Sequence, residues 1–234
     1  MKVLGLIGGI SWISTIDYYK LINEGINEKL GGLNFSKCII YSFNYEDIKK
    51  NNDTNDWETT FKMVSEACHH LINCGAEGLI LCANTMHLIA DRLQSDISVP
   101  IIHIANATAR EVQIKSLKKV GLLGTKFTME EDFFKHRLTD NGIKVITPDE
   151  IDRAFIHQTI FEELGKGIIN LSTKRRYLLI IESLIKNGAE GIILGCTEIP
   201  LLIKNNDLDI PLFDTTRLHA KAAVEFSLDL IATT

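Results

Sequence analysis

GAEGLILCANTMH at 75–87 returns as GAEGIILGCTEIP at 188–200. Four identical residues open both copies, three aliphatic residues follow, and the offset is 113 residues. Two flanking blocks repeat in the same order. LGLIGG (4–9) pairs with VGLLGT (120–125), and VPIIH (99–103) pairs with IPLFD (210–214). One such match is within reach of chance. Three in register argue for two similar α/β lobes. Each copy is a short apolar run that ends in small polar residues, as a buried parallel strand does where it turns into a helix.

Further strand-like runs lie at 2–7, 37–43, 78–82, 99–104, 119–123, 143–146, 191–195 and 210–213. Helical patterns lie between them. Tyr19, Ile22 and Ile26 share one face, as do Phe61, Val64, Cys68 and Leu71, and Tyr177, Ile181, Leu184 and Ile185. Thr128 with Glu131 reads as a capping box. The expected fold is α/β: two similar pseudo-symmetric lobes, each a mainly parallel sheet flanked by helices, with a cleft between them. Residues 1–102 form lobe 1, to which 213–234 pack back, and residues 103–212 form lobe 2.

The 234 residues carry 25 basic and 30 acidic side chains, a formal net charge of −5, and 45% are hydrophobic. That composition excludes disorder as the main state and lacks the electrostatic footprint of a nucleic-acid-binding protein. No apolar run is long enough to span a membrane. MKVLGLIGGISW reads as a buried strand and turn rather than a signal peptide. The five cysteines (38, 68, 74, 82, 196) are odd in number and have no CxxC spacing, so neither a disulfide framework nor a structural zinc site is expected. Reduced thiols in a cytoplasm fit better. The Gly8-Gly9 turn lacks the GxGxxG spacing of a dinucleotide loop, and no cofactor or metal is expected.

Ligands of open α/β sheets bind at the carboxyl ends of strands, where backbone N–H groups attract anions. Asn84, Thr85 and Thr197 stand there, with Cys82 and Cys196 beside them. A thiol at a helix start is expected to have a lowered pKa and to serve as base or nucleophile. The bland reading of either cysteine is a small buried hydrophobe. Cys38, Cys68 and Cys74 read as structural. Trp12 suits either a cleft wall or a packing contact. His87 reads as a helix-surface residue or a group that tunes a thiol. Glu198 caps the helix start or relays a proton. His69 and His70 are adjacent and point apart, a poor metal pair. Lys166, Arg153 and Arg217 are candidates to meet a side-chain carboxylate.

The strings GGxSWxST (8–15), LCxNTMH (81–87), LLGTxxTME (122–130), IFEEL (160–164) and GCTEI (195–199) extend over essentially the whole chain. Together they resemble the aspartate/glutamate racemase superfamily, and within it the aspartate racemases and broad-specificity amino-acid racemases. The resemblance implies a cofactor-independent racemase and a homodimer. In such a racemase one cysteine removes the Cα proton and a second returns one from the opposite face. It also implies that Asn84, Thr85 and Thr197 hold the α-carboxylate and α-amino groups and that Thr125 is a substrate-side threonine. Gly9, in the tight turn that opens the cleft, and Trp12 just past it are candidates to meet the substrate.

One departure stands out. The usual motif is Cys-Asn-Thr, whereas this chain has Cys82-Ala83-Asn84-Thr85. The internal repeat says the same, because Cys196 aligns with Ala83 and Cys82 with Gly195. One residue of offset turns a strand side chain to the other face. Either a bulge restores Cys82 to the cleft, or Cys196 acts as the only thiol, or the protein is a one-thiol lyase or isomerase acting on another activated acid. A non-catalytic amino-acid-binding protein remains a rival. The expected partner is a small amino acid, with no nucleic acid and no membrane.

Overall fold

The computed structural model describes residues 1–230. The chain divides into two compact units, one made of Met1–His103 together with the chain from His219, the other of Ile104–Leu218.

In the first unit, β1 (Leu4–Gly8), α1 (Trp12–Leu30), β2 (Cys38–Ser42), α2 (Tyr45–Asp53), α3 (Trp57–Asn73), β3 (Gly78–Leu81) and α4 (Ala90–Asp96) follow one another. The sheet order is β2-β1-β3, and every pairing is parallel. In the second unit come α5 (Ile104–Ile114), β4 (Lys119–Gly124), α6 (Lys126–Glu130), α7 (Asp132–Asp140), β5 (Lys144–Ile146), α8 (Glu150–Glu162), α9 (Leu171–Lys186), β6 (Ile192–Gly195), α10 (Ile199–Leu202) and β7 (Leu212–Asp214). Its sheet order is β5-β4-β6-β7, again parallel. The division falls inside α11 (Thr215–Ser227).

Strands buried on both faces need two cores, and each unit has two. In the first, Ile7, Leu79 and Leu81 join Val64, Cys68 and Leu93 on one face. Leu4, Leu6, Ile80 and Cys82 meet Tyr18, Ile22, Ala223 and Val224 on the other. In the second, Leu123, Ile192 and Leu194 pack with Ile156, Tyr177 and Ile181. Val120, Leu122 and Ile193 pack with Ala109, Phe134 and Phe213.

The repeated GAEG is a structural device. Gly75 and Gly188 take φ of +98° and +90° where α3 and α9 end, a conformation that side chains disfavour. Ala76 and Ala189 are buried. Glu77 accepts from the Val3 N–H at 2.7 Å, and Glu190 accepts from the N–H groups of Lys118 and Lys119 at 2.6 and 3.0 Å. Gly78 and Gly191 leave room for aromatic rings: a Cβ would lie 2.3 Å from Phe226 at the first and 2.9 Å from Phe213 at the second.

Three expectations are corrected. Residues 99–104 form no strand. Ile101 makes a single parallel bridge to Leu79, flanked by Leu79 N–H to Pro100 O and Ile102 N–H to Leu79 O, each 2.9 Å. Proline has no N–H to extend such a ladder. The segment 213–234 does not return whole to the first lobe. Its strand residues pair with β6 in the second sheet, and the first unit resumes only at His219. Residues 231–234 lie outside the described residues. Thr128 is not a cap but a buried residue within α6. The cap is Thr125, whose hydroxyl accepts from the Thr128 N–H.

Candidate active site

The sequence-predicted residues gather at strand carboxyl ends, five in one unit and three in the other. Gly9, Trp12, Cys82, Asn84 and Thr85 follow β1 and β3. Gly9 has φ +80°, and a Cβ there would lie 2.2 Å from Phe43 O. Its N–H donates to Thr15 Oγ1 at 2.9 Å. So Gly9 is required by the turn itself. Ser11 caps α1, and Trp12 in its first turn is 67% exposed.

Cys82 is not where a base would stand. Its N–H continues the ladder to Ile7 O at 2.9 Å, and its carbonyl accepts from Ser14 Oγ at 3.0 Å. The sulfur is buried among Leu4, Leu6, Tyr18 and Ile80, with Ile80 O at 3.8 Å. Burial pushes this thiol far above its ordinary pKa, and neighbouring Cys38 adds to the effect. Alternation runs unbroken along this stretch: Leu79, Leu81 and Ala83 face one core, Ile80 and Cys82 the other. There is no bulge to restore Cys82.

In the second unit Ile192, Leu194 and Cys196 share a face. The fold therefore repeats the sequence alignment, with Cys196 in the place of Ala83 and Gly195 in that of Cys82. A side chain at Gly195 has no room, since a Cβ would sit 2.7 Å from Leu123 O. Half-buried Cys196 donates from Sγ to Glu198 Oε2 at 2.7 Å. Burial raises this thiol well above its ordinary pKa. The Glu198 charge and hydrogen bond add to that, against smaller opposing help from the N–H groups of Glu198 and Thr197. The expected lowering is thus overturned: α10 is a single turn, and a short helix start is outweighed by burial beside a carboxylate. Glu198 makes no side-chain cap, and its carboxylate accepts from the Cys196 thiol.

Thr125 is buried at the end of β4, and Thr197 is half-buried next to Cys196. Arg153 is engaged with Glu130 at 3.0 Å and Pro148 O at 2.8 Å. Exposed Arg217 pairs with Asp214 at 3.5 Å. Lys166 lies on an exposed 3-10 turn. Cys38, Cys68 and Cys74 take structural positions in a strand, a helix and a helix end. Among the described residues no helix is long and apolar enough to cross a membrane.

Sequence reasoning missed the environment of His87. It is buried, not on a helix surface, and its ring meets those of His103 and His219. Nothing in a linear reading joins residues so far apart; only the histidine in the 81–87 string gave a signal.

Comparison with known proteins identifies the frame. The family described as Asp/Glu/Hydantoin racemase matches residues 7–223. A crystal structure from Yersinia pestis, itself of a candidate Asp/Glu racemase, is 45% identical with TM-score 0.93, covering 97% of this chain and 100% of that one. An aspartate racemase homologue from Pyrococcus horikoshii OT3 is 37% identical with TM-score 0.86, at 97% and 100% coverage. The broad specificity amino-acid racemase RacX of Bacillus subtilis (strain 168) is 27% identical over 169 residues, 72% of this chain and 73% of RacX.

Proposed function

Since the chain belongs to the Asp/Glu/Hydantoin racemase family, we propose that it is a cofactor-independent isomerase that racemises aspartate or glutamate, with Cys196 as its thiol base. The observation that carries this is the Cys196–Glu198 contact at a strand end that the internal repeat and the fold both mark. Glu198 takes the proton from Sγ, leaving a thiolate and a neutral carboxyl. The thiolate then takes the Cα proton of the substrate. The electron pair left on carbon spreads into the α-carboxylate as an enediolate, which fixed donors must stabilise. Asn84, Thr85 and Thr197 are assigned to hold the α-carboxylate and α-amino groups, and Thr125 to line the substrate, with Gly9 and Trp12 shaping the approach.

Ala83 supports a one-thiol version of the chemistry. With the Cys82 sulfur in a core, the proton returned to the other face comes from water or a group other than a thiol. A one-thiol lyase or isomerase of another activated acid draws on the same observation and is the second reading.

The experiment is proton NMR of L-aspartate and L-glutamate with the protein in D2O, with chiral chromatography of the same samples. Loss of the Cα–H signal and appearance of the D-enantiomer, retained in Cys82→Ala and lost in Cys196→Ala, is the expected result. No exchange, with turnover of a malonate-type diacid, would replace this reading by the second. Unchanged ligand affinity and no chemistry in any form would make the chain a binding protein. The free cysteines suit a cytoplasmic protein. Exposed Ile13, Ile16 and Tyr19 on α1 suit burial in a homodimer, which light scattering in solution checks.

A further inference from the structure

Four buried side chains in the first unit have no part in the reaction proposed above. They are Tyr18 on α1, His87 in the 3-10 turn after β3, His103, and His219 on α11. The ring centroids of His87 and His103 are 4.7 Å apart, those of His87 and His219 5.2 Å, and those of Tyr18 and His219 5.4 Å. Among the described residues no cluster of His, Cys, Asp or Glu is arranged to hold a metal ion.

Hydrogen bonds assign the tautomers. His219 Nε2 lies 2.5 Å from Ile102 O, so it carries the proton. Its Nδ1 is then an acceptor, and the Tyr18 hydroxyl donates to it at 2.7 Å. His87 Nδ1 lies 3.1 Å from Ala83 O and 3.3 Å from Asn84 O, so that nitrogen is the donor. Burial, then the neighbouring His103 and His219, keep His87 neutral.

The array holds two pieces of backbone beside β3. His87 clasps the carbonyls of Ala83 and Asn84. His219 clasps Ile102, whose own N–H is bound to Leu79 of β3 at 2.9 Å. The turn after β3 is thereby tied to α1 and α11 through rings rather than through its own short helix.

We propose that His87, backed by His103, His219 and Tyr18, is the positioning residue of the Asn84–Thr85 turn. What that turn binds rests on the function proposed above. The ring N–H fixes the two carbonyls and with them the direction of the donors that follow. Loss of that donor weakens substrate binding and leaves Cys196 and Glu198 in place.

The test compares His87→Leu, which removes the donor, with His87→Asn, whose amide N–H stands near the Nδ1 position. Proton exchange is measured as in the NMR experiment above. His87→Leu is expected to raise KM about tenfold while kcat changes much less, and His87→Asn to recover most of the loss. An unchanged KM in folded His87→Leu overturns the proposal, as does a fall in kcat alone. If His87→Leu does not fold, long-range 1H–15N spectra of the unaltered protein decide. Nδ1–H at His87 with Nε2–H at His219 supports the array, and Nε2–H at His87 overturns it. Absence of α-proton exchange with any amino acid defeats the proposed reaction, and the same spectra still judge the positioning role.

Discussion

The Cys196 sulfur donates to Glu198 Oε2 across 2.7 Å, two residues along the same chain. Burial, and then the adjacent Glu198 carboxylate, hold the proton on the thiol. Glu198→Gln keeps the shape and removes the proton acceptor. We expect kcat to fall about 100-fold, in the range usual for a lost general base, with a smaller change in KM. Alkylation of Cys196 by iodoacetamide, followed by mass spectrometry, should show how the carboxylate affects thiolate formation independently of any substrate.

Ala83→Cys installs a thiol at the register position that matches Cys196. Racemisation, whose equilibrium constant is 1, should speed up about tenfold or more in both directions. Chiral chromatography of initial rates reads the outcome. Cys82→Ala, by contrast, should leave exchange intact and cost about 1 kcal/mol of stability, measured by urea unfolding, because it trims a fully buried core residue.

Gly9→Ala tests the turn after β1. A Cβ would meet Phe43 O at 2.2 Å and Phe43 N at 2.4 Å in a backbone of φ +80°. Strain and overpacking together should cost roughly 2–4 kcal/mol, visible as a lower thermal midpoint.

Stability should fall on both sides of neutrality. Burial holds the pKa of His219 down at about 4, and that of His87 well below its ordinary value. The unfolded chain therefore binds more protons, and stability present above about pH 6.5 is lost as pH falls towards 4. Cys82 and Cys196 are raised, and Cys68 is raised to about 12, so the folded state keeps protons that the unfolded chain releases. Stability present below about pH 8.5 is lost as pH rises beyond it. Urea midpoints from pH 4 to 10 check both signs, and Cys82→Ala should flatten the alkaline limb.

The repeat at 75–87 and 188–200 announced two parallel sheets because buried strands are continuous apolar runs, which local sequence displays. It announced the departure at Ala83 as well, because side-chain alternation is fixed by chain geometry. The start of 213–234 was misread as returning to the first lobe. Strand partners are chosen by the sheet, and β7 found β6. The lowered Cys196 pKa failed for a related reason. A helix start is legible in sequence, whereas its single turn and the burial around the sulfur are three-dimensional. Tyr18 and His219, 201 residues apart, share a hydrogen bond that no periodicity encodes.

The first unit is interrupted by the second, and this sets an order of assembly. Ile104–Leu218 is one continuous stretch, so all of its residues have left the ribosome before His219 does. The first sheet must wait without the Ala223, Val224 and Phe226 side chains that cover one of its faces. During that interval Cys82 borders an unfinished core. The histidine array takes one ring from α11, so it is complete only once α11 docks on the first sheet.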